Sequence, residues 1–299
     1  MSRINKKQLA AMALITDIFA VFCLRGRLTV LTAAAFVLVI LLQTALLPLI
    51  ERLYAAGGKP AKALLLLWMI FWGGVLFTMQ WRTSEVIYIP GESSGGIWGK
   101  LMVSGLIGLV CIYISSAGIR AMARASVIAA AVGAVCLLVV TLSAVSGADW
   151  ENLTVSTGHG SFSGELLRGL CISGGLGSYI ALSSISGKKS FRSGTAYLAV
   201  RGAITAVLLL VSVLIAGGIM EIAEYPVVMA AQLAQPFPSQ RIDSLFLIVF
   251  AVYAVFAIGV QSAAADMLLE ELFPRFHRFR SLCAVAAMVG AAFAIARFI

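Results

Sequence analysis

The chain has 299 residues, 61% of them hydrophobic and 12% charged, with a mean hydropathy of +1.01. Soluble globular domains carry about 25% charged residues and about 45–50% apolar ones. A soluble enzyme, a disordered tail and a nucleic-acid-binding domain are therefore excluded, despite a net charge of +9 and a pI near 9.6. The composition is that of a polytopic membrane protein.

A spanning helix needs about 20 predominantly apolar residues. In chain order nine stretches qualify: 8–24, 28–50, 61–82, 101–119, 125–147, 166–186, 198–220, 243–265 and 281–298. None alternates strictly between apolar and polar as a barrel strand does, so the predicted class is all-α. The first stretch also has the length of a signal peptide. No small-residue cleavage site precedes Arg25 and Arg27, and it is read as a span. The whole chain, 1–299, reads as a single transmembrane domain.

Lys and Arg in alternate loops set the orientation. With the N-terminus inside, fifteen of the 22 basic residues fall on the cytoplasmic side, Lys6, Lys7, Lys62, Arg124, Arg201 and Arg280 among them. Arg25, Arg27, Arg168 and Arg241 belong to the outer minority. The expected topology is N-in and C-out, in a bacterial cytoplasmic membrane. Two outer segments are long: 148–165, polar and Gly/Ser-rich, and 221–242, where a short apolar run between prolines suggests a helix lying along the membrane.

The parts for catalysis are missing. Both histidines, His159 and His277, sit in loops, and no GxxxxGK phosphate loop occurs. No catalytic residue, metal ligand or cofactor is expected. The cysteines Cys23, Cys111, Cys136, Cys171 and Cys283 lie in apolar stretches without paired spacing and read as small buried hydrophobes.

One acid lies deep in a span. Asp17 follows Lys7 by ten residues, about 15 Å into a hydrocarbon core of about 30 Å. A charge there costs about 2.5–3.5 kcal/mol even on the lenient insertion scale. With Thr16 beside it, Asp17 reads either as a substrate-amine and coupling-proton site or as a carboxyl capped by a neighbouring helix.

The sixth stretch is interrupted at its centre by Ser173, Gly174, Gly175, Gly177 and Ser178. Clustered glycine favours local unwinding, which in transporters offers backbone amides and carbonyls to a substrate at the midplane. The other reading is close helix packing through small residues. Inverted-repeat transporters of five-plus-five helices break helices one and six, where Asp17 and the Gly/Ser cluster stand. The repeats would cover about 8–147 and 166–298, with the last helix of ten absent. The predicted binding set is Thr16, Asp17, Ser173, Gly174, Gly175, Gly177 and Ser178, with backbone amides as the anion partners in the absence of a mid-membrane basic side chain. Gln43, Gln80, Tyr113, Tyr253 and Gln261 read as interhelical hydrogen-bond partners, Trp68, Trp72, Trp81 and Trp98 as packing anchors, and Gly73-Gly74 as a place for a close helix approach.

Tyr113-x4-Gly118-Ile-Arg-Ala-Met-Ala123-Arg124 resembles a segment of spore germination permeases, the B subunits of germinant receptors within the amino-acid/polyamine/organocation transporter superfamily. Arg82-x2-Glu85-x-Ile87 with Pro90, Asn152-Leu153, Tyr225-Pro226, and Arg241-Ile-Asp243-Ser-Leu-Phe246 agree in order and spacing. Arg120 stands where the family commonly has an acid, and Thr16-Asp17 where helix one usually has a glycine. The resemblance implies an amino-acid transporter fold, an amino acid or similar solute bound between helices one, six, three and eight, a spore inner-membrane location and partner receptor subunits. The alternatives are a diverged proton-coupled amino-acid carrier and a non-transporting structural membrane subunit.

Overall fold

The computed structural model describes residues 4–26, 28–88, 96–145, 148–152, 161–186, 191–217, 224–233, 243–274 and 279–298. Eleven helices account for nearly all of them: α1 Lys6–Phe22, α2 Val30–Ala56, α3 Gly58–Tyr88, α4 Gly96–Ala117, α5 Ile119–Val145, α6 Phe162–Cys171, α7 Gly175–Ser186, α8 Phe191–Ala216, α9 Pro226–Leu233, α10 Asp243–Leu272 and α11 Arg280–Phe298. Among the described residues there is no strand. Seven stretches among the described residues are long and apolar enough to cross a membrane, the sixth expected span counting as one across the α6–α7 break. The protein is an all-α polytopic membrane protein. Helix α1, with 17 residues, and Met102–Ala117 are shorter than those seven. His159, His277 and residues 153–160, 221–223 and 234–242 of the two long segments lie outside the described residues.

Local chemistry sets the helix ends. Thr29 and Thr32 cap α2 reciprocally, each side chain accepting the other's backbone N–H at 3.2 and 3.0 Å. The Gln8 side chain accepts the Asn5 N–H at 3.0 Å ahead of α1, and Ser161 caps α6 through the Gly164 N–H at 3.3 Å. Gly118, at φ +87°, closes α4 in the left-handed conformation that glycine adopts freely, so that α5 begins at the next residue.

Helix α1 is the hub. Its last turns are fully enclosed, with Phe19 tilted against Phe250 at 5.4 Å and Phe22 edge-on to Phe246 at 5.0 Å, and it packs against α5, α7, α8 and α10. Helices α2, α4 and α5 instead turn rows of Leu, Ile and Val outward, the face a bilayer covers. Gly73 and Gly74 bring α3 against α11, as their size predicts. A Cβ on Gly74 would stand 2.8 Å from the Ala291 Cβ.

Residues that the charge count assigns to one side meet one another. Among those assigned to the outer side, Arg25 pairs with Glu224 at 3.0 Å, and Arg168 donates to the Gly26 carbonyl at 2.8 Å. Burial, then the neighbouring Glu224 charge, pushes the Tyr225 phenol there up to about 12. Among those assigned to the inner side, Lys62 pairs with Glu271 at 2.7 Å and Arg280 with Glu270 at 3.2 Å.

Four expectations are corrected. The short helix α9 is not laid on the surface: Pro226, Val227, Val228, Ala230 and Ala231 are buried, packed chiefly against α8. Gly194, which the predicted span 198–220 leaves in the loop before it, is a buried position of α8 against Leu47. Cys283 is exposed and Cys136 only half-buried. Tyr113 points outward at 72% exposure rather than bridging helices.

Candidate functional site

The break in the sixth span is short. Helix α6 ends at Cys171, Ile172 caps it, and Ser173 and Gly174 separate it from α7. Gly177 and Ser178 are helical. Gly174 lies in the break, and all three glycines allow close packing. Gly174 lies under the Trp72 indole, where a Cβ would come within 1.8 Å of Cε2. Gly177 lies under Trp68, which stacks on Trp72. Gly175 lets the start of α7 approach α1, and a Cβ there would stand 2.5 Å from Asp17 Oδ1 and 2.9 Å from the Ala13 carbonyl.

Asp17 meets this opening fully buried. Its Oδ1 accepts the Gly175 N–H at 2.9 Å, at the positive end of the α7 dipole. Its Oδ2 accepts the Tyr197 hydroxyl and lies 3.3 Å from Arg201 Nε. Arg201 is 3% exposed; its Nη1 donates to Gln43 Oε1 at 2.7 Å and its Nη2 to the Ser173 hydroxyl. Ser173 in turn donates to the Gly169 carbonyl at 2.6 Å, closing a carbonyl that the break leaves open. Tyr179 stacks on Tyr197 at 5.1 Å. One network thus ties α1, α2, α6, α7 and α8 at the break.

Arg201 is a correction to the sequence reading, which counted it with the inner-side charges at the edge of the seventh span and found no mid-membrane basic side chain. It is a buried helical residue and the direct partner of Asp17. The Gly175 amide, expected to await a substrate carboxylate, donates to Asp17 instead.

The predicted set divides. Asp17, Ser173 and Gly175 come together. Ser178 stands beside them, accepting from Gln261 Nε2 of α10 at 2.6 Å. Gly174 and Gly177 face the α3 tryptophans, and Thr16 bonds its own helix at the Met12 carbonyl, 3.1 Å away. Gln43 and Gln261 bridge helices as expected. Tyr197 was missed altogether. Its signal was available: Tyr197 and Arg201 are four apart, on one face of α8.

Where they can be placed, the segments that resemble germination permeases serve the fold. Gly118 makes the α4–α5 turn, Asn152 Nδ2 donates to the Leu214 carbonyl at 2.8 Å, and Tyr225 and Phe246 are buried. No protein-family model matches the chain, and no curated protein matches it.

Proposed function

We propose that this chain is a permease-like membrane subunit that binds an amino acid or similar small zwitterion where α1 meets the break between α6 and α7. The observation that carries this reading is the buried Asp17–Arg201 pair set on the Gly175 amide. Removing one partner of a buried pair leaves an uncompensated charge, at about 3–5 kcal/mol. A lone cation or anion entering here creates that situation. A zwitterion does not: its ammonium takes Asp17 while its carboxylate takes Arg201 and the Gly175 N–H. Both internal charges exchange partners together, and Asp17 is the group able to couple a proton to that exchange. Trp68 and Trp72 wall the break on the α3 side.

In this reading nine crossings form two inverted repeats, the N-terminus is cytoplasmic, and the subunit works beside other germinant-receptor subunits in a spore inner membrane. The germination context rests on the sequence segments alone.

Tritiated amino acids, screened for binding to purified protein in detergent, test the proposal. A ligand should be found that the double variant Asp17→Asn/Arg201→Gln, which removes both charges and orphans neither, no longer binds. Undiminished binding by that variant at wild-type expression moves the site elsewhere.

A further inference from the structure

An apolar groove of about 660 Å³ runs between α2, α3, α6 and α7, from the helix break toward Tyr54 near the end of α2. Two of the side chains that line it, Gln43 and Ser173, also hold Arg201. The guanidinium is thus turned two ways. Its Nε faces Asp17, while Nη1 and Nη2 meet the two side chains that reach the groove. A second groove, of about 420 Å³ between α1, α5 and α8, contains no member of this network. A carboxylate suits the paired donors of a guanidinium, and one that takes the Nη groups replaces Gln43 and Ser173 there. The rest of its molecule then continues into the first groove.

The walls decide what continues. Trp68, Phe71, Leu170 and Leu176 line the groove, and no charged side chain does among the described residues. A charged group arriving there stands unpaired in an apolar setting. The groove opens to hydrocarbon past Leu64 and Leu167, which are exposed, yet a lipid tail gains little by exchanging one apolar surrounding for another. The side chain of a water-borne zwitterion gains the whole transfer from water. We infer that the zwitterion held at the break carries an apolar side chain of leucine's size or larger, seated in this groove against Trp68 and Phe71. The inference rests on the zwitterion reading and narrows it to a substrate class. Leucine and phenylalanine belong to that class; alanine leaves most of the groove empty, and lysine and aspartate bring a charge into it. Full burial of a large apolar side chain is worth about ten- to hundredfold in affinity over alanine.

Purified protein in detergent is equilibrated separately with tritiated L-phenylalanine, L-leucine, L-alanine, L-lysine and L-aspartate, and the dissociation constants are compared. Phenylalanine and leucine should bind about ten- to hundredfold more tightly than alanine, and lysine and aspartate more weakly than alanine. Leu170→Trp fills the groove three residues before Ser173 without replacing Asp17, Arg201 or Gly175, and should erase most of the preference for phenylalanine over alanine. If Leu170→Trp does not fold, Leu170→Phe is read in the same way. Alanine or lysine binding as tightly as phenylalanine, or an undiminished preference in the Leu170 variant, overturns the side-chain inference. The zwitterion reading survives that result as long as Asp17→Asn/Arg201→Gln abolishes binding. Binding of none of the five amino acids to the parent, or undiminished binding to that double variant, overturns the zwitterion reading and this inference with it.

Discussion

Asp17→Asn tests the network most directly. The substitution is nearly isosteric, and on sequence grounds alone it should leave the fold intact. The structure argues otherwise. An Asn oxygen can still accept the Gly175 N–H, but its NH2 group then faces the Tyr197 hydroxyl and Arg201 Nε, and donor meets donor at Arg201. Arg201, 3% exposed, also keeps its charge with no other counter-ion in reach among the described residues. Stranding one member of a buried pair costs about 3–5 kcal/mol, a large part of a native stability of about 5–15 kcal/mol. At roughly 2–4 °C per kcal/mol, Tm falls by on the order of 10 °C.

The double variant Asp17→Asn/Arg201→Gln removes the stranded charge. It should recover most of that loss, giving a coupling energy of about 2–3 kcal/mol in the double-mutant cycle. Tryptophan-fluorescence melting in one detergent reads all four proteins. If Asp17→Asn melts within 2 °C of the parent, or if the two single losses simply add in the double, the pair does not hold the break together and the argument for the site fails.

Three further outcomes follow from close approaches. Gly174→Val puts a side chain into the Trp72 ring and should yield little folded protein by size-exclusion chromatography, whereas Gly105→Val, with open space around its Cβ, should express normally. Gly194→Ala crowds the flexible Leu47 Cδ2, at 2.5 Å, and should lower Tm by a few degrees rather than leave it unchanged as a loop position would. Gly74→Ala presses on the Ala292 backbone nitrogen at 3.0 Å, while Gly73→Ala presses on the movable Met288 side chain, so the Gly74 variant should melt lower.

Helical class, most span positions and the grouping of charges by side were legible because each depends on local sequence: apolar length, loop charge, small residues. The Gly73-Gly74 approach was legible for the same reason, since absence of a side chain advertises contact whatever the partner is. Helix α9 was misread because an apolar run of eight residues has the same pattern whether lipid or protein covers it. Only the neighbouring α8 decides that, and its proximity is not written in the run itself. Cys283 was misread likewise: an apolar neighbourhood in a spanning helix does not say which face turns outward.

The site shows a different limit. Asp17 stood out because a lone acid in an apolar stretch has no cheap alternative to a partner. The same reasoning applied to Arg201, yet Arg201 lies four residues into a span as drawn from hydropathy, where a long basic side chain is ordinarily free to reach the interface. Tyr197 and Arg201 make the difference as a pair. One turn apart on α8, they converge on a single carboxylate oxygen, which a snorkelling arginine cannot do. A lone buried acid therefore calls for a search for its cation among the residues assigned to loop edges, because a buried anion and an interfacial arginine are each explicable alone but cost less together. Gln43 and Ser173 then complete the guanidinium's donors, and the break in the sixth span becomes the place where α1, α2 and α8 can all reach the same charge.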